Sequence, residues 1–491
     1  MRSFDSICLG VILHGSLLLA SVPAWSQDEQ RPVPVPAATG PASNASVDSD
    51  ASTSVDDSSG RMLTPPPVSG QSYPVILTSQ ERSNYLRGGL AFTSAYTDNA
   101  VGSVDGHPVS DVSYSVWPTI ALDETTTRSH LVLTYAPGFT FYQRESSLNQ
   151  ADQNASINFQ YRLSPHVTLS ARDGFQKSSS VFNQPDLGTA GVVSGGTQGP
   201  NQSVIAPIAD QLSNSGNVGI TYQFAANSMV GAGGTFTNLH YPDQKEVPGL
   251  FDSASQSGSA FYSVRVSRIN YFGATYQYQR LASYPAPGTN ETQTNALLLF
   301  YTVYPTKRFS ISVFGGPQYA DVGPQFFETS CPPNGVSPCF APAPTPASRS
   351  WNPAAGGSLS WQGHLSSLAI SYAHLVSSGG GLIGAVKTDN VSASIRQQLR
   401  RTLNATVAGG YADNDILAAT PQTGGNGHTV SGTASLQQQF GQHLNVQLGY
   451  TRLHQAYSTQ GAFAVPVLAA TPDTNREFVS ISYQFSRPLG R

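Results

Sequence analysis

Nine histidines follow residue 27, at His107, His130, His166, His240, His364, His374, His428, His443 and His454. A histidine oriented by a carboxylate or amide beside a hydroxyl nucleophile or a water would be hydrolytic chemistry. Here the histidines are scattered. Serine and asparagine are so frequent that Ser/His/Asn sets arise by chance, so no catalytic residue is expected. The stretches "TDNAVGSVDGHP" and "YADNDILAAT" bring Asp98, Asn99 and Asp105 together, and Asp413, Asn414 and Asp415. Neither has the full spacing of a calcium loop, and solvated turn residues explain both. No metal and no cofactor is therefore expected. The arginines are more informative. Arg87, Arg162, Arg172, Arg265 and Arg396 fall on the polar positions of alternating segments, with Arg400 at a strand end. Arginines lining a pore favour anions. The competing reading is structural, with arginine hydrogen-bonding to backbone and polar neighbours or reaching lipid head groups. The sequence leaves both open.

The elements that position these arginines follow from a two-residue period. In "NASINFQYRLSPHVTLSARDGF", Ala155, Ile157, Phe159 and Tyr161 alternate with Asn154, Ser156, Asn158 and Gln160. Ser164-Pro165-His166 makes a turn, and Val167 and Leu169 resume the alternation. This is a β-hairpin with one apolar and one polar face. Similar tight reversals recur near 225–228, 305–307, 400–402 and 440–443. Between them run longer Gly/Pro/Asn/Asp-rich connections, the longest near 178–213 and 321–350. Regular exchange of short turns and long loops is an antiparallel meander with all its short turns at one end, the pattern of a transmembrane barrel. The fold class expected is all-β: an up-and-down barrel of about eighteen strands, or sixteen if one hairpin is lost. A strand of about eleven residues rises roughly 36 Å, and a tilt near 45° reduces this to about 25 Å, the height of an apolar membrane band.

Composition supports this. Charged residues make up 11% of the chain, against about 25% in soluble domains. The only lysines after residue 27 are Lys177, Lys245, Lys307 and Lys387. A soluble sandwich, propeller or solenoid would show a wetter exterior. Aromatics gather where strands meet short turns: Tyr161, Phe224, Tyr304, Phe309, Phe440, Tyr483 and Phe485, as in an interfacial girdle. A net charge of −4 gives no case for nucleic-acid binding. Residues 1–26 read as a signal peptide, with the apolar core "ICLGVILHGSLLLA" and small residues Ala24 and Ser26 before the cleavage point. Residues 27–80, rich in Pro, Ser and Asp, read as a disordered periplasmic linker. Residues 81–491 are the expected barrel. Export leaves Cys331 and Cys339 in "CPPNGVSPC", a pair expected to form a structural disulfide.

Two stretches carry a family resemblance. "REFVSISYQFSRPLGR" resembles the C-terminal strand of bacterial outer-membrane proteins. That resemblance implies recognition by the barrel-assembly machinery through the final aromatic. Here Ser486 to Arg491 follow Phe485, whereas the family usually ends on the aromatic. "LRGGLAFTSAYTDNAVG", ending its strand on Tyr96 before Thr97-Asp98-Asn99, precedes a segment carrying Pro118 and then "LVLTYAPGFTFYQ" with Tyr135 and Tyr142. This order resembles the β-barrel porins of the second type, linked to exopolysaccharide or capsule secretion. The resemblance implies a barrel in the outer membrane of a Gram-negative-type bacterium, in contact with lipid and lipopolysaccharide. The function expected is a passive pore for hydrophilic solutes, with a lean toward anionic solutes or polysaccharide. The alternative is a non-conducting receptor or adhesin acting through its external loops.

Overall fold

The computed structural model describes residues 84–101, 108–180, 182, 208–243, 250–285, 288–306, 308–325, 346–378, 385–417, 426–457 and 473–489. The expected signal peptide, linker and Cys331–Cys339 pair lie outside them. The described chain holds eighteen strands in sequence. They are β1 (Tyr85–Thr97), β2 (Asp111–Thr125), β3 (Ser129–Tyr142), β4 (Gln150–Arg162), β5 (Val167–Ser180), β6 (Ile208–Ala225), β7 (Ser228–His240), β8 (Ser253–Arg265) and β9 (Asn270–Ser283). Then follow β10 (Asn290–Thr306), β11 (Phe309–Val322), β12 (Ser348–Gln362), β13 (Ser366–Ser378), β14 (Ala385–Arg400), β15 (Leu403–Ile416), β16 (Asn426–Phe440), β17 (Leu444–Tyr457) and β18 (Thr474–Pro488). One short 3-10 turn, Ser146–Leu148, interrupts the series.

Every strand pairs antiparallel with its sequence neighbour, and β1 pairs with both β2 and β18. The sheet thus closes on itself and has no edge strand, which removes the aggregation liability of a long sheet. The eighteen-strand count is the one the turn pattern predicts. Several strands run longer than the turn pattern predicts, and the largest difference is at β6. β6 begins at Ile208, well inside the loop predicted over 178–213, because its polar start pairs with β5 from Ser180↔Ile208 onward. The Lys177–Asp210 ion pair (3.3 Å) lies across that added ladder. An apolar period cannot register a strand end that carries polar residues on both faces.

Burial alternates along each strand in the sense opposite to that of a soluble protein. Leu90, Phe92 and Tyr96 are exposed while Ala91, Thr93 and Thr97 are buried. Val479, Ile481, Tyr483 and Phe485 are all exposed and Ser480 is buried. The apolar face therefore points outward and the small hydroxyl face inward, as expected of strands bathed in hydrocarbon. Aromatic rings lie on facing glycines: Phe485 on Gly88, Phe261 on Gly231, Phe300 on Gly273, Phe478 on Gly449. A Cβ on any of these glycines would come within 2.3 Å of a ring atom or closer. The glycines leave room for the rings, which cover backbone that glycine leaves bare.

Prolines mark where ladders fail. In β2–β3 the pairing skips from Val116↔Phe139 to Ile120↔Tyr135, and Pro118 and Pro137 fall in that gap. In β10–β11 it skips from Ala296↔Gln318 to Leu299↔Gly315, at Pro317. Proline donates no ladder bond.

Candidate functional site: the lumen

Cross-strand hydroxyl pairs line the inner wall: Thr93–Ser480 (2.9 Å), Ser115–Thr140 (2.9 Å), Thr302–Ser312 (2.9 Å), Ser371–Ser392 (2.6 Å) and Thr433–Thr451 (3.2 Å). Each satisfies a buried or half-buried hydroxyl within the wall.

The strand alternation turns Arg87, Arg162, Arg172, Arg265 and Arg396 inward. Arg87 donates to Asp123 (3.1 Å), and the same carboxylate meets His130 (3.3 Å). Arg172 donates to Asn158 (3.3 Å) and Arg265 to Asn227 (3.0 Å). Arg400 follows a register shift in β14 and is exposed at the short-turn rim. Arg162, Arg265, Arg396 and Arg400 gather at the short-turn end, at or near the ends of β4, β8 and β14. Arg172 stands mid-strand. The six are thus distributed around the wall instead of meeting at one point.

Sequence reading missed a further inward arginine, Arg476, near the long-loop end. It is 8% exposed and lies over the rings of Phe182 (4.7 Å) and Phe478 (6.0 Å). Its "TNREFV" context gives a signal only once β18 is registered against β1. Among the described strand residues the inward acids are Asp111, Asp123 and Asp152. Asp111 accepts backbone N–H bonds from Val112 (2.7 Å), Arg144 and Glu145, and Asp152 accepts one from Ser179 (3.2 Å). These bonds hold the carboxylates in place without neutralising them; the inner wall is net positive because Arg87, Arg162, Arg172, Arg265, Arg396 and Arg476 outnumber the three inward carboxylates among the described strand residues.

The polar face is not polar throughout. Met229, Phe261, Tyr271, Ala296, Leu298, Phe300, Tyr304 and Ala354 form a buried cluster on the inner side of β7–β12, joined by Phe314 and Leu375. Tyr304 is therefore an inward residue, 4% exposed, and not a member of the girdle in which sequence reading placed it. The others in that prediction, Tyr161, Phe224, Phe309, Phe440, Tyr483 and Phe485, do have outward parity.

The outer face has a second boundary toward the long loops. Outward tyrosines there bond to polar partners: Tyr135 to Gln153 (2.5 Å), Tyr276 to Asn295 (2.7 Å), Tyr372 to Asp389 (2.7 Å), Tyr450 to Asn475 (2.6 Å). Three outward ion pairs, Lys177–Asp210, Arg280–Glu291 and Arg349–Asp321, and three outward histidine–carboxylate contacts, His240–Asp252, His374–Asp389 and His454–Asp473, share this end. Three of the nine histidines are thus absorbed into outward pairs with carboxylates. No group of three or more metal-ligating residues occurs among the described residues.

No family model matches the chain, and no curated protein matches it. Solved structures do. The ferric-catecholate import receptor Fiu from E. coli K12 matches at 9% identity over 83% of this chain and 82% of that one, with a TM-score of 0.41. The outer membrane protein OpdK from Pseudomonas aeruginosa matches at 11% identity over 82% and 99%, with a TM-score of 0.38. OccAB4 from Acinetobacter baumannii matches at 10% identity over 84% and 100%, with a TM-score of 0.38. At these identities and scores the likenesses carry nothing about substrate or mechanism.

Proposed function

We propose that this protein is an outer-membrane pore that passes hydrophilic solutes passively and prefers anions. The observation that carries this reading is the inverted barrel: apolar side chains surround a closed eighteen-strand cylinder and hydroxyls line its inside. Eighteen strands enclose more than side chains alone fill, so a water path is expected. Inward arginines outnumber inward carboxylates among the described strand residues, which biases that path toward anions. An anionic polysaccharide leaving the cell is the larger cargo of the same chemistry, in keeping with the resemblance to exopolysaccharide-linked porins. The outward aromatic and ion-pair belt at the long-loop end suits the head-group zone, where lipopolysaccharide would be its neighbour. No catalytic role is assigned. Planar-bilayer recording of the purified chain under a KCl gradient tests the proposal. A steady current with an anion-selective reversal potential is expected; no current, or strong cation selectivity, would overturn it.

One observation favours a second reading. A buried apolar cluster lies on the inner side of the wall, which suits a receptor or adhesin barrel that conducts nothing better than a uniformly polar channel. Swelling of liposomes in neutral sugars separates the two, since only an open pore admits them.

A further inference from the structure

One carboxylate stands at a depth where the outside of a membrane barrel should carry none. Asp173 is the seventh of the fourteen residues of β5. Its ladder partners are Ile157, outward and 39% exposed, and Gly216. Every other outward acid of a described strand lies within five residues of a strand end, close to head groups and water. Asp173 sits in the apolar band instead. A charge at that depth is costly and marks a function. Its hydrogen-bond partner among the described residues is the Asn214 amide, which donates to both carboxylate oxygens (3.3 and 3.2 Å). A carboxylate offers about four acceptor sites, so one shared amide leaves most of them open.

The wall beside Asp173 is flat and carries the complementary groups. On β7 and β8 the outward pairs Ala232↔Ala260 and Gly234↔Gly258 follow one another. A Cβ on Gly258 would meet nothing within 4 Å, and one on Gly234 only the Ser257 carbonyl at 3.4 Å. No ring covers these two glycines, whereas Phe236 lies on Gly216. Val218 of β6, 57% exposed, stands opposite Gly234 in the ladder and rises from this floor. Toward the long loops, Asn238 and Gln256 point outward and are exposed, and neither side chain has a hydrogen bond among the described residues. One face thus holds an acceptor short of donors, amide donors short of acceptors, a protruding valine and a bare floor.

We propose that the β5–β8 face is the contact between two copies of this chain in the membrane. Its chemistry is self-complementary, as an isologous contact requires. Both copies insert with their short turns on the same side, so the twofold axis runs along the membrane normal. Each side chain then meets the partner at its own depth. With the axis between β6 and β7, β5 of one copy lies against β8 of the other. Asp173 accepts from the amide of the partner's Gln256, whose long side chain reaches down from the long-loop side. Val218 packs onto the bare backbone at the partner's Gly234. In lipid, close packing of small residues and hydrogen bonds hold membrane segments together. The contact rests on the reading that the apolar face meets hydrocarbon, and it needs no current through the lumen.

The test uses the full chain with Cys331 and Cys339 changed to Ser. Val218→Cys treated in membranes with a short bismaleimide should give a covalent species of twice the mass. Leu448→Cys, outward on β17 and 56% exposed, should not. In mild detergent, sedimentation should show a dimer. Asp173→Leu should raise its dissociation constant by roughly tenfold or more, the weight of a lost hydrogen bond to a charged group, and Gln256→Leu should act in the same direction. Leucine suits lipid better than a carboxylate does, so Asp173→Leu barrels should keep heat-modifiable gel mobility, which separates loss of the dimer from loss of the fold. Three results would overturn the contact: Val218→Cys cross-linking no more than Leu448→Cys, an adduct with a different protein, or an Asp173→Leu dimer as tight as the unmodified one. A chain that dissolves without detergent would instead overturn the membrane reading beneath it.

Discussion

At the scale of single residues, two kinds of side chain are placed for testable effects. The inward arginines bear on selectivity. Replacing Arg162, Arg265 and Arg396 together by Gln removes three inward charges while keeping hydrogen-bonding length. The reversal potential in a salt gradient should then move toward zero. If these arginines serve only as wall ties, the potential will hold and the melting temperature will fall instead. The aromatic–glycine pairs bear on stability. A Cβ at Gly449 would sit 2.3 Å from the Phe478 ring, whereas at Gly432 it would meet nothing within 4 Å. Gly449→Val should therefore cost roughly 1–3 kcal/mol through overpacking, read as an earlier heat-induced gel shift. Gly432→Ala should leave the barrel nearly unchanged.

At the scale of elements, the two faces of a strand make opposite predictions for the same substitution. Leu299 of β10 is 53% exposed and central in its strand, so Leu299→Arg places a charge in hydrocarbon and should cost roughly 2–4 kcal/mol. Ser394→Arg, on the inner face of β14, should fold normally and deepen anion preference. Folding yield into detergent micelles reads the first and reversal potential the second. Strand faces were legible in the sequence because period-two alternation is local, and so "NASINFQYRL" sorts its residues correctly without its partners. What was not legible is whatever depends on a partner strand. Tyr304 looks like a girdle residue until its neighbours Tyr271 and Phe300 show that it joins an inner cluster. Val376 has the parity of a lipid-facing residue yet is 1% exposed, because beyond Ala355↔His374 its strand leaves β12 and bonds Gln318 of β11 instead. Arg476 was passed over for the same reason, since the rings it lies on come from Phe478 beside it and from Phe182, far away in sequence.

At the scale of the whole molecule, closure depends on the seam between the first strand and the last. That seam also accounts for the residues that run past the final aromatic. Phe485 pairs with Gly88, then Ser486 with Arg87, Arg487 with Leu86 and Pro488 with Tyr85. The tail after Phe485 is thus ladder, and it finishes the pairing of β1. Removing Ser486–Arg491 strips only the last three of thirteen β1–β18 pairs. The barrel should still close, with a lower melting temperature. Removing Thr474–Arg491 deletes β18 entirely and leaves β1 and β17 as bare edges at membrane depth. Edges of that kind have no stable solution in hydrocarbon, so this truncation should yield no heat-modifiable species and should aggregate when detergent is withdrawn. A truncated chain that stayed monomeric and soluble without detergent would mean that the apolar face does not meet lipid, because a sheet open at both edges and greasy outside has no other route to solubility.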